Sequence, residues 1–147
     1  MEIPFTLVTT GVLALIFFVH SLRTINARRD TKNNLGDGGN DTMLRRIRTH
    51  GNFAEYVPFL MFILFLLETS GAPALALGAF SLSVILGRCL HAYGLYSPAT
   101  PGKARVLGMQ LTLWPLILGG MYLVYLGIVK LHRQKTGAYW RRSFVME

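Results

Sequence analysis

Charge is scarce in this chain and acid is scarcer still: 15% of its 147 residues are charged, with seven Asp and Glu against fifteen Lys and Arg. A soluble domain carries roughly 25% charged residues. The shortfall excludes an ordinary water-facing surface and points to lipid as solvent. Cysteine is almost absent as well. Cys89 stands alone, which excludes an intrachain disulfide, and nothing around it has metal-ligand spacing, so no metal is expected and a small packed side chain is the reading it supports. There is no internal repeat and no pair of broken half-helices, which leaves a small transporter without support.

The net charge of +8 would raise the question of nucleic acid in a soluble protein. Here the basic residues collect at the ends of apolar runs, where they fix topology and meet anionic headgroups. Membrane lipid, and no nucleic acid, is the expected partner. The chain is 52% hydrophobic with a mean hydropathy of +0.40. About 20 apolar residues cross a hydrocarbon core of about 30 Å, so four crossings with short connections would use nearly the whole chain.

The run from Ile3 to Leu22 is uncharged and ends in Arg23, Arg28 and Arg29. Glu2 precludes a basic leading region and no small-residue cleavage pattern follows, so the run reads as a retained helix, not a signal peptide. The stretch DTKNNLGDGGNDT marks a loop, after which Asp41 or Thr42 is placed to cap a second helix. Its uncharged part, Tyr56 to Leu67, is too short to span alone. That helix must therefore enter the membrane zone carrying Arg48, Asn52 and Glu55. Gly71 and Pro73 supply a turn. A third span closes at Arg88 and carries a small-residue stripe, Ala79, Ser83 and Gly87, suited to close helix packing. The segment SPATPGK reads as a loop, and Val106 to Val129 as a fourth span in which Pro115 is expected to introduce a kink. Trp114, Trp140, Tyr122, Tyr125 and Tyr139 read as core or aromatic-belt residues. The expectation is an all-α, integral membrane four-helix bundle, one domain over 1–147, with helices at about 3–29, 41–70, 72–96 and 103–131.

Four crossings put the two longer loops on one side, with Arg28, Arg29, Lys32, Arg45, Arg46, Arg48, Lys103 and Arg105. The positive-inside rule makes that side cytoplasmic, although Lys130, Arg133, Lys135, Arg141 and Arg142 lie on the opposite face.

On a helix, Arg48, Asn52 and Glu55 are spaced i, i+4, i+7 and share one face, with Tyr56 adjacent. Arg88 and His91 share a face of the third helix, Arg28 closes the first and Arg105 opens the fourth. All four helices thus deliver polar groups to one depth. Snorkelling arginines and a structural ion pair, for instance Glu55 with Arg88, would account for part of this. A carboxylate two turns inside a membrane helix is nonetheless a functional signal by default. Arginines, an amide and one carboxylate suit a zwitterionic ligand with more carboxylates than amines, such as a small peptide. His20 and His50 read as packing or interface residues.

At RTHGNFAEYVPF, residues 48 to 59, the sequence resembles the second-helix signature of the membrane-associated proteins in eicosanoid and glutathione metabolism, the MAPEG family. INARR at Ile25 to Arg29, GRCLHAYGLY at Gly87 to Tyr96, and Arg105 support the resemblance, which covers about residues 5 to 130. It implies a homotrimer binding glutathione as co-substrate between neighbouring subunits near the cytoplasmic face. By that resemblance Arg28 would meet a glutathione carboxylate, Arg48, Asn52, Glu55 and Tyr56 would hold its backbone and amino group, and Arg88 and His91 match third-helix ligand positions. Arg105 would be catalytic, stabilising the thiolate. Where several members carry a tyrosine seven residues after the third-helix arginine this chain has Leu95, flanked by Tyr93 and Tyr96 as substrate-contacting candidates. The implied activity is microsomal-type glutathione transfer to hydrophobic electrophiles, a detoxification chemistry, or glutathione-dependent peroxide reduction. The alternative is a non-catalytic membrane scaffold or lipid-binding protein.

Overall fold

The computed structural model describes residues 2–96 and 102–143, with backbone only for 136–143. All regular structure among the described residues is helical: α1 Pro4–Thr31, α2 Asp41–Thr69, α3 Ala74–Tyr96 and α4 Lys103–Ser143. Each is long and apolar enough to cross a membrane. The Pro-rich connection at 97–101 and the side chains of Tyr139, Trp140, Arg141 and Arg142 lie outside the described residues.

Local chemistry sets the helix ends. Pro4 opens α1, where a missing N–H costs nothing. Ile3 offers that helix no side-chain cap. Glu68, at the far end of α2, takes over the task, accepting from Phe5 N at 2.9 Å, Thr6 N at 2.8 Å and Thr6 Oγ1 at 2.6 Å. One carboxylate thus satisfies the orphan donors of another helix and pins α1 to α2. At its other end α1 stops on Lys32, which adopts the left-handed conformation with φ 52°. The cap of α2 is Asn40, whose side chain accepts from Met43 N at 3.0 Å, one residue ahead of the expected Asp41 or Thr42. Gly71 turns the chain with φ 79°, and α3 begins at Ala74, not at 72, because Pro73 precedes it. The fourth helix passes through Pro115 without interruption and runs to Ser143, well beyond the expected end near residue 131. Its 41 residues extend about 60 Å at 1.5 Å per residue, twice a hydrocarbon core, so the basic tail leaves the membrane zone as helix.

Packing is most extensive between α3 and α4 and between α1 and α2, with α2 touching all three others. Leu13 of α1, Leu60 and Leu64 of α2, and Leu77 and Val84 of α3 form the core. Most other large apolar side chains face outward: Leu15 is 70% exposed, Phe59 69% and Leu75 87%. That outward surface would drive aggregation in water, and in a bilayer it meets hydrocarbon.

The expected small-residue stripe does what its spacing implies at two of its three positions. Ser83 Oγ donates to Leu111 O at 2.7 Å across to α4, and Gly87 lies against Gly108 and Thr112 of α4. Ala79 lines an apolar groove instead. A Cβ at Gly108 would fall 2.7 Å from Gly87 O and also collide with the His91 backbone, while one at Gly94 would lie 2.6 Å from Arg105 N. The upper halves of α3 and α4 are therefore in backbone contact. Cys89, expected to be packed, is exposed, because these contacts turn the opposite face of α3 inward.

Two substitutions test this frame by thermal unfolding in detergent. Gly108→Ala should lower stability by about 1–3 kcal/mol through overpacking; an unchanged melting temperature would refute the backbone contact. Glu68→Gln, which sets an amide NH2 against the α1 donors, should cost about 1 kcal/mol, the usual worth of an N-cap.

Candidate functional site

Where α2, α3 and α4 meet near the ends carrying the longer loops, the bundle opens into a cavity of about 740 Å³. Arg48, Asn52 and Glu55 line it from α2, His91 and Leu95 from α3, Arg105 and Met109 from α4, and Gly36 and Asp37 from the loop after α1. The volume is in the range of small-molecule sites. A second groove of about 540 Å³, walled by Leu67, Phe80, Trp114 and Pro115, is almost wholly apolar. The chemistry belongs to the first.

The i, i+4, i+7 spacing on α2 delivers all three of its side chains to the cavity, and α4 uses the same spacing: Arg105, Met109 and Thr112. The third member of that row lies deeper. Thr112 is fully buried, donates to Gly108 O at 2.8 Å, and accepts from Arg88 Nε at 3.1 Å and Nη2 at 2.6 Å. Arg88, only 1% exposed, also donates from Nη1 to Asn52 Oδ1 at 2.7 Å and contacts Met109 Sδ at 3.6 Å. Its guanidinium stands 5.5 Å from the centre of the Tyr56 ring. Guanidinium only donates, so the face of Asn52 toward Arg88 must be its oxygen and its NH2 is left for the cavity. The cavity thus presents donors from Arg48, Arg105 and Asn52 and carboxylates from Glu55 and Asp37.

Of the ten residues singled out in the sequence, Arg48, Asn52, Glu55, His91 and Arg105 line this cavity together. The other five stand elsewhere. Arg88 and Tyr56 lie behind the wall, and the buried guanidinium takes Asn52, Thr112 and Met109 as partners where an ion pair with Glu55 was one expectation; Glu55 is exposed. Arg28 donates to the carbonyls of Asn34 at 2.9 Å, Asn33 at 3.4 Å and Gly36 at 3.5 Å, so it shapes the loop that forms the rim. Tyr93 is 56% exposed and away from the cavity. Tyr96 turns to the α1 side, its hydroxyl 2.7 Å from His20 Nδ1. His20 and His50 are packing residues, as their sequence context suggested: His20 is buried, and His50 stacks on Phe17 with ring centres 4.7 Å apart.

Sequence reasoning missed Thr112, Met109 and the Gly36-Asp37 rim. The repeat of the α2 spacing on α4 was the available signal for the first two. Nothing local marked the loop, which Arg28 holds by three of its carbonyls. Among the described residues no cluster of three or more His, Cys, Asp or Glu is placed to hold a metal.

The MAPEG family model matches residues 6–127 of this chain. The inner membrane protein YecN of Escherichia coli strain K12 is 29% identical over 83 residues, which is 56% of this chain and 63% of that protein. YecN of Escherichia coli O6:H1 matches to the same extent. This chain therefore spans somewhat under two thirds of the length of the curated relatives it matches. No solved structure matches.

Thr112→Val, which keeps shape but removes the acceptor for two Arg88 donors, should destabilise the protein by about 1–3 kcal/mol, the cost of a buried polar group left short of partners. Thr112→Ser should restore it. Equal melting temperatures for Thr112→Val and the parent would remove Arg88 from its organising position.

Proposed function

The chain belongs to the MAPEG family, and from that premise we propose that it is a multi-pass membrane glutathione transferase acting on hydrophobic electrophiles that partition into lipid. The family includes both glutathione transferases and non-catalytic members, so membership alone does not choose between them. The observation that carries the choice is the convergence of Arg48, Asn52, Glu55, His91 and Arg105 on one cavity. A non-catalytic scaffold has no need of a charged, amide-bearing hollow, and each intramembrane charge is costly to keep.

Glutathione has two carboxylates, one ammonium and one thiol, and the cavity answers each. Arg48 and the Asn52 NH2 suit carboxylate and peptide oxygens, and Glu55 suits the ammonium. Arg105 stands near the start of α4, where a guanidinium and the positive end of the helix dipole act on the same point. A thiol of pKa near 8.5 is mostly protonated at neutral pH, and such a field favours the thiolate, the nucleophilic form. The thiolate sulfur then forms a bond to the electrophilic carbon of the second substrate, and the leaving group departs with its electron pair. The same thiolate could reduce a lipid hydroperoxide, two glutathiones yielding disulfide, alcohol and water. In this reading the subunit works in a homotrimer, with the cavity facing the cytoplasm on the strength of the basic loops.

Replacing Arg105 with Leu should lower conjugation turnover by about a hundredfold or more, as loss of one electrostatic stabiliser does, while glutathione binding measured by calorimetry largely persists. Unchanged turnover would defeat the role of Arg105. In the parent protein, no heat of glutathione binding and no thiolate absorbance would assign the chain to the scaffold class.

A further inference from the structure

A second polar cluster lies on the α1 side of the bundle, built from Arg23, Arg46 and Tyr96, none of which lines the cavity. Three helices contribute to it. Arg23 is the first charge after the apolar run of α1, Arg46 stands near the start of α2, and Tyr96 is the last residue of α3. The Arg46 guanidinium sits 4.2 Å and that of Arg23 4.8 Å from the centre of the Tyr96 ring. The two cations therefore share one aromatic side chain, and among the described residues neither has a carboxylate partner. Like charges so placed repel, and the ring quadrupole offsets only part of that.

The Tyr96 hydroxyl adds a third donor. It lies 2.7 Å from His20 Nδ1, while His20 Nε2 is buried with no partner among the described residues. A buried, unpaired N–H is rarely tolerated, so the tautomer that fits carries its proton on Nδ1 and donates it to the tyrosine oxygen. The phenolic hydrogen is then left without an acceptor among the described residues. Two guanidinium groups and one hydroxyl, short of an acceptor, form the complement of an oxyanion. The cluster also sits where apolar surface ends: Leu22 and Ile25, on either side of Arg23, are 43% and 45% exposed.

We propose that Arg23, Arg46 and Tyr96 bind the phosphate of an anionic phospholipid headgroup, with the acyl chains along the exposed apolar face of α1. The phosphate bridges the two guanidinium groups over the tyrosine edge and accepts the phenolic hydrogen. This site is independent of the glutathione reading.

Native mass spectrometry of the full chain, released from nanodiscs of mixed phosphatidylglycerol and phosphatidylcholine, tests it. The parent should retain phosphatidylglycerol selectively, and Arg23→Gln with Arg46→Gln should reduce that selectivity about tenfold or more, given the usual contribution of each interfacial arginine. Arg29→Gln with Arg45→Gln removes the same charge from the same side and should change it by no more than about twofold if the effect is local and not a surface potential. Tyr96→Leu leaves net charge untouched and should abolish selectivity; Tyr96→Phe, which keeps the ring, should retain part of it. Should Tyr96→Leu fail to fold, the arginine pairs decide the matter alone. Equal losses for the two arginine pairs, or full selectivity in a folded Tyr96→Leu variant, would overturn the proposal and leave the guanidinium groups serving only the carbonyl end of α3. Displacement of the lipid by millimolar inorganic phosphate would overturn the lipid assignment in favour of a soluble phosphate.

Discussion

A guanidinium buried to 1% exposure inside a membrane bundle is the constraint to which the rest of this structure answers. An unpaired cation there would be prohibitively costly, so every donor of Arg88 must be met by something the neighbouring helices bring. Asn52 meets it from α2, Thr112 and Met109 from α4, and Tyr56 offers its ring face. These contacts require three helices to keep one register, and the register holds only because glycines let α3 and α4 approach to backbone contact. Gly87 and Gly108 face one another directly below the arginine's reach. The polar network and the glycine seam are thus one device: the seam brings Thr112 within 2.6 Å of Arg88, and the network keeps the seam in register.

The consequence for function is a division of labour between two layers of polar residues. The buried layer, Arg88 with Thr112, contacts no cavity space and acts by holding Asn52 with its amide oxygen turned inward. The lining layer, Arg48, Asn52, Glu55, His91 and Arg105, faces the hollow, and Asn52, its oxygen taken by Arg88, turns its NH2 toward it. A cavity wall that is preorganised in this way loses little on binding, since its side chains need not be ordered by the ligand. Arg28 extends the same logic to the rim, clasping three loop carbonyls so that Gly36 and Asp37 arrive at the cavity mouth. At the opposite end of the bundle Glu68 plays the corresponding part, closing α1 onto α2.

Much of this could be read from the residues in order. The uncharged run of α1, the polar entry of α2 and the Gly71-Pro73 turn each express a local requirement: hydrocarbon excludes charge, and backbone with positive φ wants glycine. The α2 face of Arg48, Asn52 and Glu55 was legible because periodicity alone fixes it. Helix ends were legible to within a residue or two, with the exception of α4, whose polar continuation to Ser143 lacks the apolar signal that marks a span.

What the sequence by itself determined is the number of crossings, their order, and which side chains share a face, because each follows from short-range geometry and from the refusal of hydrocarbon to solvate charge. Which faces meet was decided only by tertiary structure. Arg88 and His91 sit three apart on one helix and read as equivalents, yet packing against α4 buries the first behind the wall and leaves the second in the cavity. Tyr56 and Tyr96 were drawn by their neighbours into a cation's shell and toward a histidine, and Asp37 reached the site through Arg28. The rotation of a helix about its axis depends on all its partners at once, and no stretch of chain carries that information alone.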